Sequence, residues 1–199
     1  MVLLQSEVQK NVAEQTVTNV NGQPTSNDLD LLEEELIAIA ASIPSVLRGG
    51  MNGHAGMLLS NIDYATMAPG SLFVAPVNPG VYPVGVTAAT RSRMEAEHKE
   101  QVNQFHTFVG VGMGLKDLLL KAIDKDYFLE IKHKRVAFLN MTAVQMLNHL
   151  HNCWGVVDFV DITALMAECD APWSVDEVPT LYFNQVLKAM KELAKANIN

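Results

Sequence analysis

From Val102 to Ile123 large apolar residues recur in a three-and-four pattern that fits one helix stripe: Val102, Phe105, Phe108, Val109, Leu115, Leu118, Leu119 and Ile123. That period is the mark of an amphipathic helix, and it predicts helix across residues 91–123. Three glycines, Gly110, Gly112 and Gly114, fall inside the repeat. Each costs about 1 kcal/mol relative to alanine in a helix interior, so the expectation is a helix kinked at the glycines or split there into two. An apolar stripe of this kind has to be covered, and the rest of the chain supplies further helices to cover it.

Upstream, "LDLLEEELIAIAAS" places Leu32, Leu36, Ile39 and Ala40 on one stripe, with acids crowded into the first turns. Asn27 or Asp28 is the expected cap, and Pro44 the stop. Downstream, Thr142 and Gln145 have the spacing of a capping box ahead of Val144, Leu147, Leu150 and Trp154, with Gly155 as the stop. Asp161 is expected to cap "ITALMAEC", and a last helix starts near Val178 or Pro179 and buries Leu181, Tyr182, Val186, Met190 and Leu193. Residues 43–90 carry Pro69, Pro76, Pro79 and Pro83, which points to extended loop packed on helices, with a short edge hairpin at "VNPGV" as one option.

The fold class that follows is all-α: a bundle of at least five helices with an irregular Pro/Gly-rich N-terminal segment, and with room for two small lobes. Residues 1–26 end in the polar cluster "TNVNGQPTSND" and are read as a mobile arm. Residues 27–90 form the short helix and the Gly/Pro-rich loop, and 91–199 the helical domain. At 199 residues the chain can bury a real core. No apolar run approaches the ~20 residues of a membrane span, and no basic leader precedes an apolar stretch, so the expectation is a cytoplasmic protein with no membrane partner. In that setting Cys153 and Cys169 are expected as reduced, buried thiols.

The motifs that would carry chemistry are incomplete. "GVGMGLKD" at 110–117 has neither Walker spacing nor a dinucleotide fingerprint after a strand. No serine sits on a strand-to-helix elbow. His149 and Cys153 share a helix face while His151 points away, and two ligands do not make a structural zinc site, so no metal and no cofactor is expected. Asp124, Asp126, Glu130, Asp158 and Asp161 lie near helix ends and read as capping or solvated acids. "RGGMNGHAGMLLS" at 48–60 reads as a glycine-permitted turn fitted against the helical body, with His54 bonding the loop. No enzyme is expected; the alternative is a small metal- or ligand-dependent enzyme using His54.

A net charge of −8 opposes general attraction to a polyanion, so nucleic-acid contact has to be local. The dense basic cluster is "KHKR", which offers Lys132, Lys134 and Arg135 for weak RNA contact. Trp154, Trp173, Tyr182 and Phe183 are the aromatic candidates for core packing or self-association.

Over residues 44–195 these pieces fall in a familiar order. A G-x-N-G-H-x-G segment (Gly50, Asn52, Gly53, His54, Gly56) leads to the proline loop. Leu115 and Leu119 follow on a helix, then Thr142, Leu147, His149, Leu150 and Gly155, and finally Met166, Trp173 and Phe183. In this the chain resembles the Gag-like region of copia-type retrotransposons, the variety abundant in algal and diatom genomes. The resemblance implies a non-enzymatic capsid-like structural protein that self-associates into a shell around element RNA, or a host protein-binding module derived from one. It covers the helical part of Gag alone, because no zinc knuckle can be built from two cysteines 16 residues apart.

Overall fold

The computed structural model describes residues 5–45, 52–70, 72–81, 88–155, 159–172 and 178–195. Its α-helices are α1 (Gln5–Ala13), α2 (Ser26–Ser42), α3 (Asn61–Met67), α4 (Ala88–Ala122), α5 (Ala143–Trp154), α6 (Phe159–Asp170) and α7 (Pro179–Lys195), with 3-10 segments at Ala55–Met57 and Lys125–Ile131. There is no strand among the described residues, only an isolated bridge between His133 and Ala137. The protein is an all-α bundle of more than five helices, as the periodicity predicted.

The axis of the bundle is α4, and it runs without a break through all three glycines. The split into two helices that the glycines allowed does not occur, and two of the glycines are the floor on which α1 lies. A Cβ added at Gly110 would stand 2.7 Å from the Gln5 carbonyl oxygen and 2.9 Å from Val8 Cβ; one at Gly114 would stand 2.5 Å from Val12 Cβ and 2.9 Å from the Gln9 carbonyl oxygen. The one-turn spacing of Gly110 and Gly114 puts both on one face, and their missing side chains let the two helices approach backbone to side chain. Close packing over the length of α1 thus compensates the intrinsic cost of glycine in α4.

Residues 5–20 are therefore a docked segment and not the mobile arm that their polar ending suggested. Val8 and Val12 are buried. The Gln9 side-chain amide donates to the Asp117 carboxylate at 2.7 Å, and Lys121 Nζ donates to the Ala13 carbonyl at 2.5 Å, satisfying an orphan acceptor at the end of α1. Beyond the helix, Val20 N donates to the Ala122 carbonyl, and Thr18 donates twice to the Glu35 carboxylate of α2. Short helices of this length do not hold together alone, so packing on α4 is what orders α1.

The other helices start and stop close to their signals. Thr25, and not Asn27 or Asp28, caps α2; Asp28 is instead the N3 partner in a capping box, its carboxylate accepting from the Thr25 N–H. Leu29, Leu32, Leu36 and Ala40 are buried against α4 and α5. Thr142 and Gln145 form the expected box at the start of α5, which ends at Gly155. Since α6 begins at Phe159, Asp161 lies inside its first turn and does not precede it.

In α7 the inward stripe is Tyr182, Val186, Ala189 and Leu193, spaced at four, three and four, with Ala189 and Leu193 buried. Leu181 and Met190, expected inside, fall off that stripe and are exposed. Each of α6 and α7 has the other as its main packing partner. Of the proline-rich stretch Phe73 alone among the described large apolar residues reaches the helices, lying 5.7 Å from the Tyr64 ring and 6.2 Å from the Phe108 ring. Leu72, Val74, Val77 and Val81 are exposed, so the expected packing of the whole loop is not seen. Its "VNPGV" piece makes a turn without strands: Gly80 N donates to Asn78 Oδ1 at 2.9 Å, with Gly80 at φ +69.

Candidate functional site

The turn around His54 is built from backbone geometry. Gly53 sits at φ +51, and a side chain there would run into the carbonyl oxygens of Ala41 and Ile43 at the end of α2. With the chain this close, His54 N donates to the Ala40 carbonyl at 2.8 Å, and the ring nitrogen Nδ1 donates to the Ile43 carbonyl at 3.0 Å. His54 is 2% exposed and ties the loop to α2, the bonding role assigned to it from sequence. Pro44, Ser45, His54, Glu100, Asn103, Gln104 and Thr107 line a small hollow of about 180 Å³ beside it. Arg48, Gly49, Gly50 and Met51 of the same stretch lie outside the described residues.

Burial holds the His54 imidazole below its ordinary pKa of 6.5, the hydrogen bond to Ile43 opposing that only in part. Above pH 6.5 the native ring is therefore neutral. Below the unfolded-state value the unfolded chain binds a proton that the folded chain does not, so stability from this group is complete above pH 6.5 and is lost as the pH falls through the depressed folded value. Thermal midpoints measured from about pH 8 to about pH 5 should show this decline in the wild type and a smaller one in His54→Asn. Equal slopes in the two proteins would show that His54 does not carry it.

A second cluster lies where α5 meets the 3-10 segment Lys125–Ile131. Sequence spacing put His149 and Cys153 on one face of α5, and the structure adds Glu130: one ligand atom from each of the three residues lies within 4.8 Å of the others. Spacing within α5 could not reveal Glu130, because it arrives from a different segment. The His149 ring is held from three directions, with Nε2 donating to the Tyr127 carbonyl at 3.2 Å, Nδ1 standing 3.7 Å from Cys153 Sγ, and the Trp154 ring set edge-on at 5.7 Å. Cys153 is exposed and Cys169 partly exposed, which corrects the expectation of two buried thiols; both are free.

The aromatic candidates separate. Trp154 packs against the core and meets the Tyr127 ring edge-on at 5.2 Å, so it is a packing residue. Tyr182 is half-buried and its hydroxyl donates to the Ala171 carbonyl at 3.0 Å, bracing α7 on the end of α6. Phe183 is 62% exposed. Trp173 lies outside the described residues. Phe183, Leu187 and Met190, spaced at four and three, form a second apolar stripe on α7 beside the buried one, and all three are exposed.

Lys132, Lys134 and Arg135 are all exposed on a tight turn. His133 closes the turn: its N–H and carbonyl pair with Ala137, and its Nδ1 accepts from the N–H groups of Arg135 and Val136. The turn presents the three cations together without burying any of them. An apolar groove of about 430 Å³ opens between α4 and the start of α5, walled by Phe108, Met113, Leu139 and Val144. None of the described helices is long and apolar enough to cross a membrane. Comparison with protein-family models, with curated proteins and with solved structures finds no match to the chain.

Proposed function

We propose that the protein is a non-enzymatic, Gag-like structural protein that self-associates into capsid-like assemblies and touches RNA weakly. The observation that carries this reading is the exposed stripe of Phe183, Leu187 and Met190 on α7. A helix that has already buried one apolar face and still displays another at three-four spacing offers a surface for a second copy of the same helix. The order of motifs shared with copia-type Gag supports the same reading, and so does the basic turn at Lys132, Lys134 and Arg135, which offers a local phosphate contact on a chain of net charge −8. The two other readings are a small metal- or ligand-dependent enzyme using His54 and a Gag-derived module that binds a host protein.

Sedimentation velocity across a range of protein concentration, with and without RNA, tests it. The wild type should show a mass that rises with concentration, and Phe183→Glu with Leu187→Glu should stay monomeric at unchanged helical content, since substitutions of exposed side chains usually alter stability by no more than about 0.5 kcal/mol. Neutralising Lys132, Lys134 and Arg135 together should flatten the salt dependence of RNA binding and leave protein-only association intact. A wild type that remains folded and monomeric under all these conditions overturns the assembly reading and favours the host-partner module.

A further inference from the structure

We infer that Glu130, His149 and Cys153 form a binding site for one divalent d-block ion of the zinc class, with three protein ligands and an open fourth position. The inference is separate from the assembly reading and revises the two-ligand reading of α5. Its first support is the donor set. A thiolate, an imidazole and a carboxylate suit Zn²⁺ or Co²⁺, whereas Mg²⁺ and Ca²⁺ take oxygen ligands.

The second support is geometry. Ordinary Zn–N and Zn–S bond lengths at a tetrahedral angle separate the two donor atoms by about 3.6 Å. His149 Nδ1 and Cys153 Sγ are 3.7 Å apart, and the Glu130 carboxylate reaches the same locality, all three donors lying within 4.8 Å of one another. An ion can be received here with small rotations of exposed side chains.

The third support comes from the far side of the imidazole. His149 Nε2 is 3.2 Å from the Tyr127 carbonyl, so it carries the proton and leaves the Nδ1 lone pair free. Cys153 Sγ lies 3.7 Å from Nδ1 and 4.0 Å from Nε2, and rotation of its exposed side chain brings it onto the lone-pair axis. A metal-ligating histidine is oriented in this way, its second nitrogen donating to a backbone carbonyl or carboxylate. The segment that supplies this carbonyl also supplies Glu130, and edge contacts of Trp154 with both Tyr127 and His149 fix the two segments against each other. One rigid contact thus positions two ligands and the group that orients one of them.

Binding costs the thiol its proton, so occupancy rises with pH and the bound sulfur resists alkylation. The full chain, reduced and free of chelator, is titrated with Co²⁺. Expected are the visible bands of a tetrahedral ion and a thiolate-to-cobalt charge-transfer band, saturating at one ion per chain and displaced by Zn²⁺. Cys153→Ser should abolish the charge-transfer band, and Cys169→Ser should leave it unchanged. Glu130→Gln should weaken binding by at least about tenfold, since losing even a residue that only orients a ligand costs about 10–100-fold. Zn²⁺ should slow alkylation of Cys153 but not of Cys169. Absence of the charge-transfer band in the folded wild type, its survival in Cys153→Ser, or its loss in Cys169→Ser overturns the site.

Discussion

Replacing Gly114 with leucine should lift α1 off the protein. A side chain at this position meets Val12 Cβ at 2.5 Å and the Gln9 carbonyl oxygen at 2.9 Å, and a helix backbone cannot step aside as a flexible side chain can. Overpacking costs about 1–3 kcal/mol where neighbours can adjust. Here the cheaper response is to give up the contact, and with it the burial of Val8 and Val12, worth about 1.5–3 kcal/mol each at full exposure. Once undocked, nine residues do not stay helical. Amide hydrogen exchange should therefore show protection lost from Gln5 to Ala13 and retained in α2 and α5.

The control is Gly112→Ala, two residues away, where an added Cβ meets only Met57 Cε at 3.0 Å, the mobile end of a long side chain. That variant should be neutral or more stable by up to about 1 kcal/mol, the helix propensity difference. Unchanged protection of α1 in Gly114→Leu would refute the glycine floor.

Phe128→Ala should cost about 3–5 kcal/mol, a large part of the 5–15 kcal/mol that holds a typical domain together. Its ring is 0% exposed and meets Phe138 edge-on at 6.0 Å, inside the cluster that includes Leu147 and Leu150 of α5. The next residue, Leu129, is 56% exposed, and Leu129→Ala should shift stability by no more than about 0.5 kcal/mol. Urea midpoints of the two variants separate the cases. Phe128 also anchors the segment that carries Tyr127 and Glu130, so its loss should weaken cobalt binding as well, while Leu129→Ala should not. Similar midpoints for the two would mean that the 3-10 segment is not part of the core.

How far the sequence could be read depended on the range of the interactions. Capping boxes are local, and the Thr142–Gln145 pair and the Gly155 stop of α5 were legible from the chain alone. Periodicity gave the class of fold, and Pro179 marked the start of α7. The role of Gly110 and Gly114 was not legible, because their cost in a helix is intrinsic and their benefit comes from residues 102 to 105 positions earlier in the chain, a separation like the 108 between Gln9 and Asp117. The same distance hid the docking of residues 5–20, whose own composition is polar. At α7 the buried stripe is one of two adjacent apolar stripes, and spacing alone did not say which of them faces inward. The site at Glu130 follows this rule, its two helical ligands visible at a spacing of four and the third brought in by tertiary packing.

The glycine floor also sets an order of events during synthesis. At about 5–20 residues per second, the 108 positions between Gln9 and Asp117 separate their appearance by roughly 5–20 s. Through that interval α1 has no partner and is too short to persist as a helix, while α2 is already complete behind it. Translated ahead of the other described helices, α1 is thus held open until the C-terminal half of α4 leaves the ribosome. Until then Val8 and Val12 stay within reach of chaperones, or of the corresponding groove on a neighbouring copy.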